Sequence, residues 1–132
     1  MKHLILSAII LLLVHFSSFG QDLSPYVKVG ESTLSMQEIS DKVIQNLKDN
    51  SFTVLGTYNP SNKNTLKVIA FTKNDLKNTV IKVKDRGALA AIMKVGLVMK
   101  GDKVIISYTN PDYILRAYLA SNYNTYKSTF VN

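Results

Sequence analysis

The 132-residue chain contains no cysteine and no tryptophan, and its two histidines, His3 and His15, both fall near the start. The missing cysteines exclude disulfide staples, thiol nucleophiles and thiolate metal sites. Glycine is sparse and scattered, six in all, so there is no Gly-rich phosphate loop. The Asp-x-Asp spacing of a calcium loop is absent as well. The one long hydrophobic run, Leu4 to Val14, falls well short of the ~20 residues that cross a bilayer.

That run is, however, the length a secretory leader needs. Met1-Lys2-His3 is a short basic start, Leu4 to Val14 the apolar middle, and Ser18-Phe19-Gly20 a small-x-small cleavage signal. Residues 1–20 therefore read as a signal peptide, residues 21–25 as a linker and residues 26–132 as one domain, exported to a periplasm or beyond. Cleavage before Gln21 removes both histidines. What remains is a chemistry of hydroxyls, carboxylates, amides, lysines and tyrosines, without imidazole or thiol.

The 112 residues left after a twenty-residue leader are enough for one core, and with 46% hydrophobic residues overall that core must be held by burial alone. Losing Lys2 leaves 15 basic against 9 acidic residues, a net charge of +6. Seven of the basic residues, Lys63, Lys67, Lys73, Lys77, Lys82, Lys84 and Arg86, lie within 24 positions. They are interspersed with apolar residues, have few aromatic neighbours and belong to an exported chain, so they read as a solvated face and not as a nucleic-acid site.

Tyr26-Val27-Lys28-Val29 alternates as a brief strand does. Ser35-Met36-Gln37-Glu38 is a capping box that starts a helix, with Met36, Ile39, Val43 and Leu47 on one face and Asn50 as its left-handed stop. Phe52 to Tyr58 and Leu66 to Thr72 read as strands joined by a polar turn. The second is apolar on both faces and belongs inside the sheet. Asp75 to Asn78 suits a short helix, and Ala88 to Met93 has helix propensity but runs into a strand placed at Ile92 to Met99. Gly101-Asp102 is a hairpin turn leading into Val104 to Tyr108, and Asn110-Pro111-Asp112 is a helix cap, first-turn proline and favourable first-turn carboxylate. The order implies an α+β domain with a mainly antiparallel sheet of four to five strands and two main helices.

The strand Val68-Ile69-Ala70-Phe71, the spacing to Val95-Gly96-Leu97-Val98, the hairpin Gly101-Asp102 and above all the run Val104-Ile105-Ile106-Ser107-Tyr108-Thr109-Asn110-Pro111-Asp112-Tyr113 resemble the family known as domain of unknown function 302. The resemblance covers most of residues 26–132. It implies a two-layer β-α-β-β-β-β-α fold akin to one half of the TATA-box-binding protein, and no established activity. The chain departs from the family at Thr72-Lys73-Asn74-Asp75, where members often have Gly-Asn-Pro, and at Asn59-Pro60, near where many carry Asp-His.

Tyr108, Asn110 and Tyr113 are candidates to line a small polar pocket at a strand end, since two phenols and an amide both donate and accept. The competing reading is structural, because a capping asparagine and a following proline are what any strand-to-helix turn needs. The charged turn Lys84-Asp85-Arg86-Gly87 reads as surface. Of the nine carboxylates, Glu38 is explained by a cap, Asp102 by a turn and Asp112 by a helix dipole, which leaves no evident pair for glycoside hydrolysis. The last helix carries Leu115, Leu119, Tyr123, Tyr126 and Phe130 on one stripe. A continuous helix from Pro111 to Phe130 is roughly 30 Å long, against roughly 17 to 24 Å for strands of five to seven residues, so Tyr126 and Phe130 are expected to protrude and meet a partner, either a second copy or sequence beyond Asn132. The reading is a non-enzymatic binding or interaction domain with an unknown ligand or protein partner, no cofactor, no metal and no transmembrane segment after cleavage. The alternatives are an assembly module acting through the last helix, and an enzyme using carboxylate or tyrosine chemistry.

Overall fold

The computed structural model describes residues 23–127. The expected leader, its cleavage point and Phe130 lie outside them. The chain folds as a two-layer α+β domain whose sheet is antiparallel throughout, with strand order β1-β5-β4-β3-β2. Its strands are β1 (Tyr26–Ser32), β2 (Thr53–Tyr58), β3 (Leu66–Thr72), β4 (Met93–Lys100) and β5 (Lys103–Thr109), and its longer helices are α1 (Met36–Asp49), α2 (Asn74–Val80) and α3 (Pro111–Leu119).

Pairing fixes which side chains face the helices. Ile69 lies opposite Val95, which lies opposite Tyr108, and Leu97 lies opposite Ile106. With a period of two along each strand, Phe71, Met93, Val95, Leu97, Val104 and Ile106 share the covered face. Ile69, Leu97 and Val104 are almost completely buried there. The doubly apolar β3 is flanked by β2 and β4, as its pattern requires. Both edge strands are bulged, β1 between Lys28 and Gly30 and β2 between Val54 and Gly56, which discourages pairing with another chain's edge. At the β4–β5 hairpin Lys100 pairs with Lys103, and Gly101 supplies the positive φ of 61° that its turn position requires.

α1 begins on the expected box. Ser35 Oγ accepts from the Glu38 amide at 3.2 Å, and the Glu38 carboxylate accepts from the Ser35 amide at 2.9 Å. Its end differs from expectation. Asn50 is not left-handed (φ −96°); Ser51 is, at φ 63°. The Ser51 amide bonds Lys48 O at 3.0 Å and the Phe52 amide bonds Leu47 O at 2.9 Å, a Schellman closure that satisfies the last carbonyls. The ambiguous Ala88 to Met93 stretch resolves into a 3-10 turn, Gly87–Ala91, before β4. Gly87 is required there by contact, since a Cβ would lie 2.4 Å from Val80 O.

The expectation of a continuous last helix is corrected. α3 stops at Leu119, Ala120 adopts φ 46° and ψ −117°, and a 3-10 turn (Ala120–Asn122) leads into the single-turn α4 (Tyr123–Tyr126). The reason is tertiary. The break turns Tyr123 back into the core, where its hydroxyl donates to Asp112 and its ring stacks under the Arg116 guanidinium, 4.2 Å from its centroid. Arg116 Nε closes the set on Asp112 at 2.9 Å. Tyr126 consequently does not protrude as a free aromatic end; it is half-buried and packs against the core.

Candidate functional site

α1 lies over β2, β3 and β4, whereas α3 leans on the Gly87–Ala91 turn, so the two helices leave a strip of sheet between them. That strip is the floor of a half-open groove of about 680 Å³. One wall is a single stripe of α1: Ile39, Lys42, Val43, Asn46 and Leu47, at the three- and four-residue spacings that share a helix face. The floor is Met93 and Val95 of β4 with Ile106 and Tyr108 of β5, the far wall is Pro111 and Leu115 of α3, and one end is closed by Phe52, Phe71, Lys73, Asp75 and Leu76. Ile39 to Leu47 spans about 12 Å of helix, which sets the groove's length.

The lining is apolar at depth and polar at the rim. Phe52 and Phe71 meet edge to face with centroids 5.4 Å apart. The Lys73 ammonium sits 5.0 Å above the Phe52 ring, which anchors a cation beside the apolar floor. Volume, shape and lining match the usual small-molecule site, a concave apolar surface with a few polar groups. Filled with liquid water, it would hold on the order of twenty molecules against mostly hydrocarbon walls.

The structure separates the three residues expected to form a polar pocket. Tyr108 is on the groove floor. Asn110 is held elsewhere: its Oδ1 accepts from the Asp112 amide at 3.1 Å, its Nδ2 donates to Ser24 O at 2.9 Å, and its amide bonds Pro25 O at 2.9 Å. It caps α3 and ties down the segment entering β1. Tyr113 is 40% exposed and does not line the groove. Lys84, Asp85 and Arg86 are exposed, with Asp85 at φ 72°.

Glu31 is at the β1 edge, where a hydrogen bond from Lys28 at 2.6 Å, reinforced by Lys103, holds its carboxyl below the ordinary range. Glu38 is likewise lowered, first by the Ser35 hydroxyl and then by the Ser35 amide. Among the described residues no three His, Cys, Asp or Glu side chains gather as a metal site would require, and no helix is long and apolar enough to cross a membrane.

Sequence reasoning missed the groove itself. Val43 and Leu47 read simply as core, and Lys73 as part of a solvated face, because the gap arises from where α3 docks and not from any motif. The one available hint was the three- and four-residue stripe of α1 with Lys42 and Asn46 along its border. Neither a protein-family model nor a curated protein matches this chain.

Proposed function

We propose that this is an exported, non-enzymatic binding domain that takes a small, largely apolar molecule in the groove between α1 and α3. The observation that carries this reading is the 680 Å³ groove with its hydrocarbon floor. Its ionisable groups are Lys42, Lys73, Asp75 and the Tyr108 phenol, a set that supports holding and orienting a ligand more than acid–base chemistry on it. Export rests on the tripartite start of the sequence, and membership of the domain of unknown function 302 family on the Val104 to Tyr113 run.

The test is a neutral solvatochromic dye, Nile red, whose emission brightens in an apolar site. Dye should bind saturably to the wild type, and Val43→Trp, which places an indole in the groove, should abolish the response while circular dichroism stays unchanged. A wild type without saturable binding, or a Val43→Trp protein that still binds, overturns the reading.

A further inference from the structure

The rim of the groove carries two lysines, one over the Phe52 ring and one whose charge also acts on Glu38, and neither is held in an ion pair. Among the described residues the ion pairs are Lys28 and Lys103 with Glu31, Arg86 with Asp85 and Arg116 with Asp112; neither Lys42 nor Lys73 takes part in one. Glu38, one turn before Lys42, has its carboxylate engaged by the Ser35 amide and hydroxyl. Lys73 is held over the Phe52 ring, so its ammonium lies at the end of the groove that Phe52 closes. Two lysines against the one carboxylate of Asp75 leave the rim positive.

We propose that the groove's ligand is a single-chain amphipathic carboxylate of the fatty-acid class, with its carboxylate at Lys73 beside Phe52, its chain running along α1 over Leu47, Val43 and Val95, and Lys42 on the same wall adding to the positive potential. This rests on the binding reading above and deepens it. An apolar trough whose α1 wall runs for about 12 Å offers an alkyl chain a continuous hydrocarbon surface. A neutral lipid gains nothing from the two ammonium groups, and a cationic amphiphile is repelled by them. Lysines, as compact point charges on flexible stems, suit a carboxylate at the water boundary and do not demand the fixed geometry of a guanidinium fork.

The experiment follows dansylaminoundecanoate fluorescence below its micelle concentration, with laurate and dodecanol as competitors of equal chain length and different charge. Laurate is expected to displace the probe about fivefold more effectively than dodecanol. Lys42→Gln with Lys73→Gln should weaken laurate about fivefold, the loss of the rim's positive charge, and leave dodecanol unchanged. Lys77→Gln, outside the groove, should change neither. Equal competition by laurate and dodecanol, or an equal loss with Lys77→Gln, overturns the carboxylate assignment and leaves the groove reading standing. Binding that appears only with anionic phospholipid vesicles overturns it in favour of a membrane surface. Failure of all three apolar molecules to bind overturns both.

Discussion

The two helices that wall the groove are built on opposite principles. α1 carries its own instructions: a reciprocal Ser35–Glu38 box at one end, a Schellman closure at the other, and Gln37–Asp41 and Gln45–Asp49 pairs at 2.9 and 2.7 Å along its exposed side. α3 is shorter and depends on residues far away in sequence. Asn110 reaches back to Ser24 and Pro25, and Asp112 is engaged by Tyr123 from beyond the helix's end. The comparison teaches that the groove has one locally specified wall and one placed by tertiary contacts, so the two should respond differently to substitution.

The widest difference is expected in the seats of the two helices. Leu119 of α3 is almost completely buried away from the groove, while Leu47 of α1 is nearly buried and borders the open groove. Leu119→Ala leaves a cavity away from the groove, at a cost of about 3 to 5 kcal/mol. Leu47→Ala opens onto a space water can already enter and should cost about 2 kcal/mol. Urea denaturation of the two variants would compare them; equal losses would mean that the groove is closed in solution.

Next come the caps. Asn110→Ala removes a helix cap together with the amide bond to Ser24 O, at a combined cost of about 2 kcal/mol, and should speed hydrogen exchange in β1 as well as in α3. Ser35→Ala removes only a local cap, costs about 1 kcal/mol and should leave β1 exchange alone. A purely local response in both would contradict the contrast.

This same division decides what the sequence made legible. The box at Ser35, the interior position of β3, the Gly101 hairpin and the Asn110 cap are all readable, because each follows from interactions within a few residues or from an alternation the sheet must obey. The continuous last helix was misread for the opposite reason. Its stripe from Leu115 to Tyr126 is real, but Leu119 and Tyr123 are brought into one core by a turn at Ala120, and nothing in Leu119-Ala120-Ser121 announces a residue at φ 46°. Nor could the groove be read, since it is the space left by where α3 comes to rest. Of the expected site residues, Tyr108 reached it and Asn110 and Tyr113 did not.

A smaller and stabilising effect should sharpen the comparison. Ser51 occupies the left-handed position of the α1 closure at φ 63°, a conformation that glycine adopts without steric cost. Ser51→Gly should raise stability by about 0.5 kcal/mol, net of the greater freedom of the unfolded chain. The groove lining, and with it dye binding, should be unaffected. A loss of stability would show that the Ser51 side chain has a role the backbone does not reveal.

The smallest effect is the response to acid, and it separates the two caps by chemistry. Glu38 has its carboxyl lowered from the ordinary 4.5 by bonds from the Ser35 hydroxyl and amide. A group whose folded value is depressed contributes stability that is fully present above its unfolded value and is lost as pH falls through the folded one. The Ser35 box should therefore weaken below about pH 4.5, and the penalty of Ser35→Ala should shrink with it, because the variant has already given up the hydroxyl bond that acid would loosen. The Asn110 cap is a neutral amide, so the penalty of Asn110→Ala should stay flat over the same range. Urea denaturation of the wild type and both variants, repeated from about pH 7 to pH 3, reads the two slopes directly. A Ser35→Ala penalty that does not change with pH would mean that the Glu38 carboxylate is not held by the box in solution, and α1 would lose its claim to being the locally secured wall.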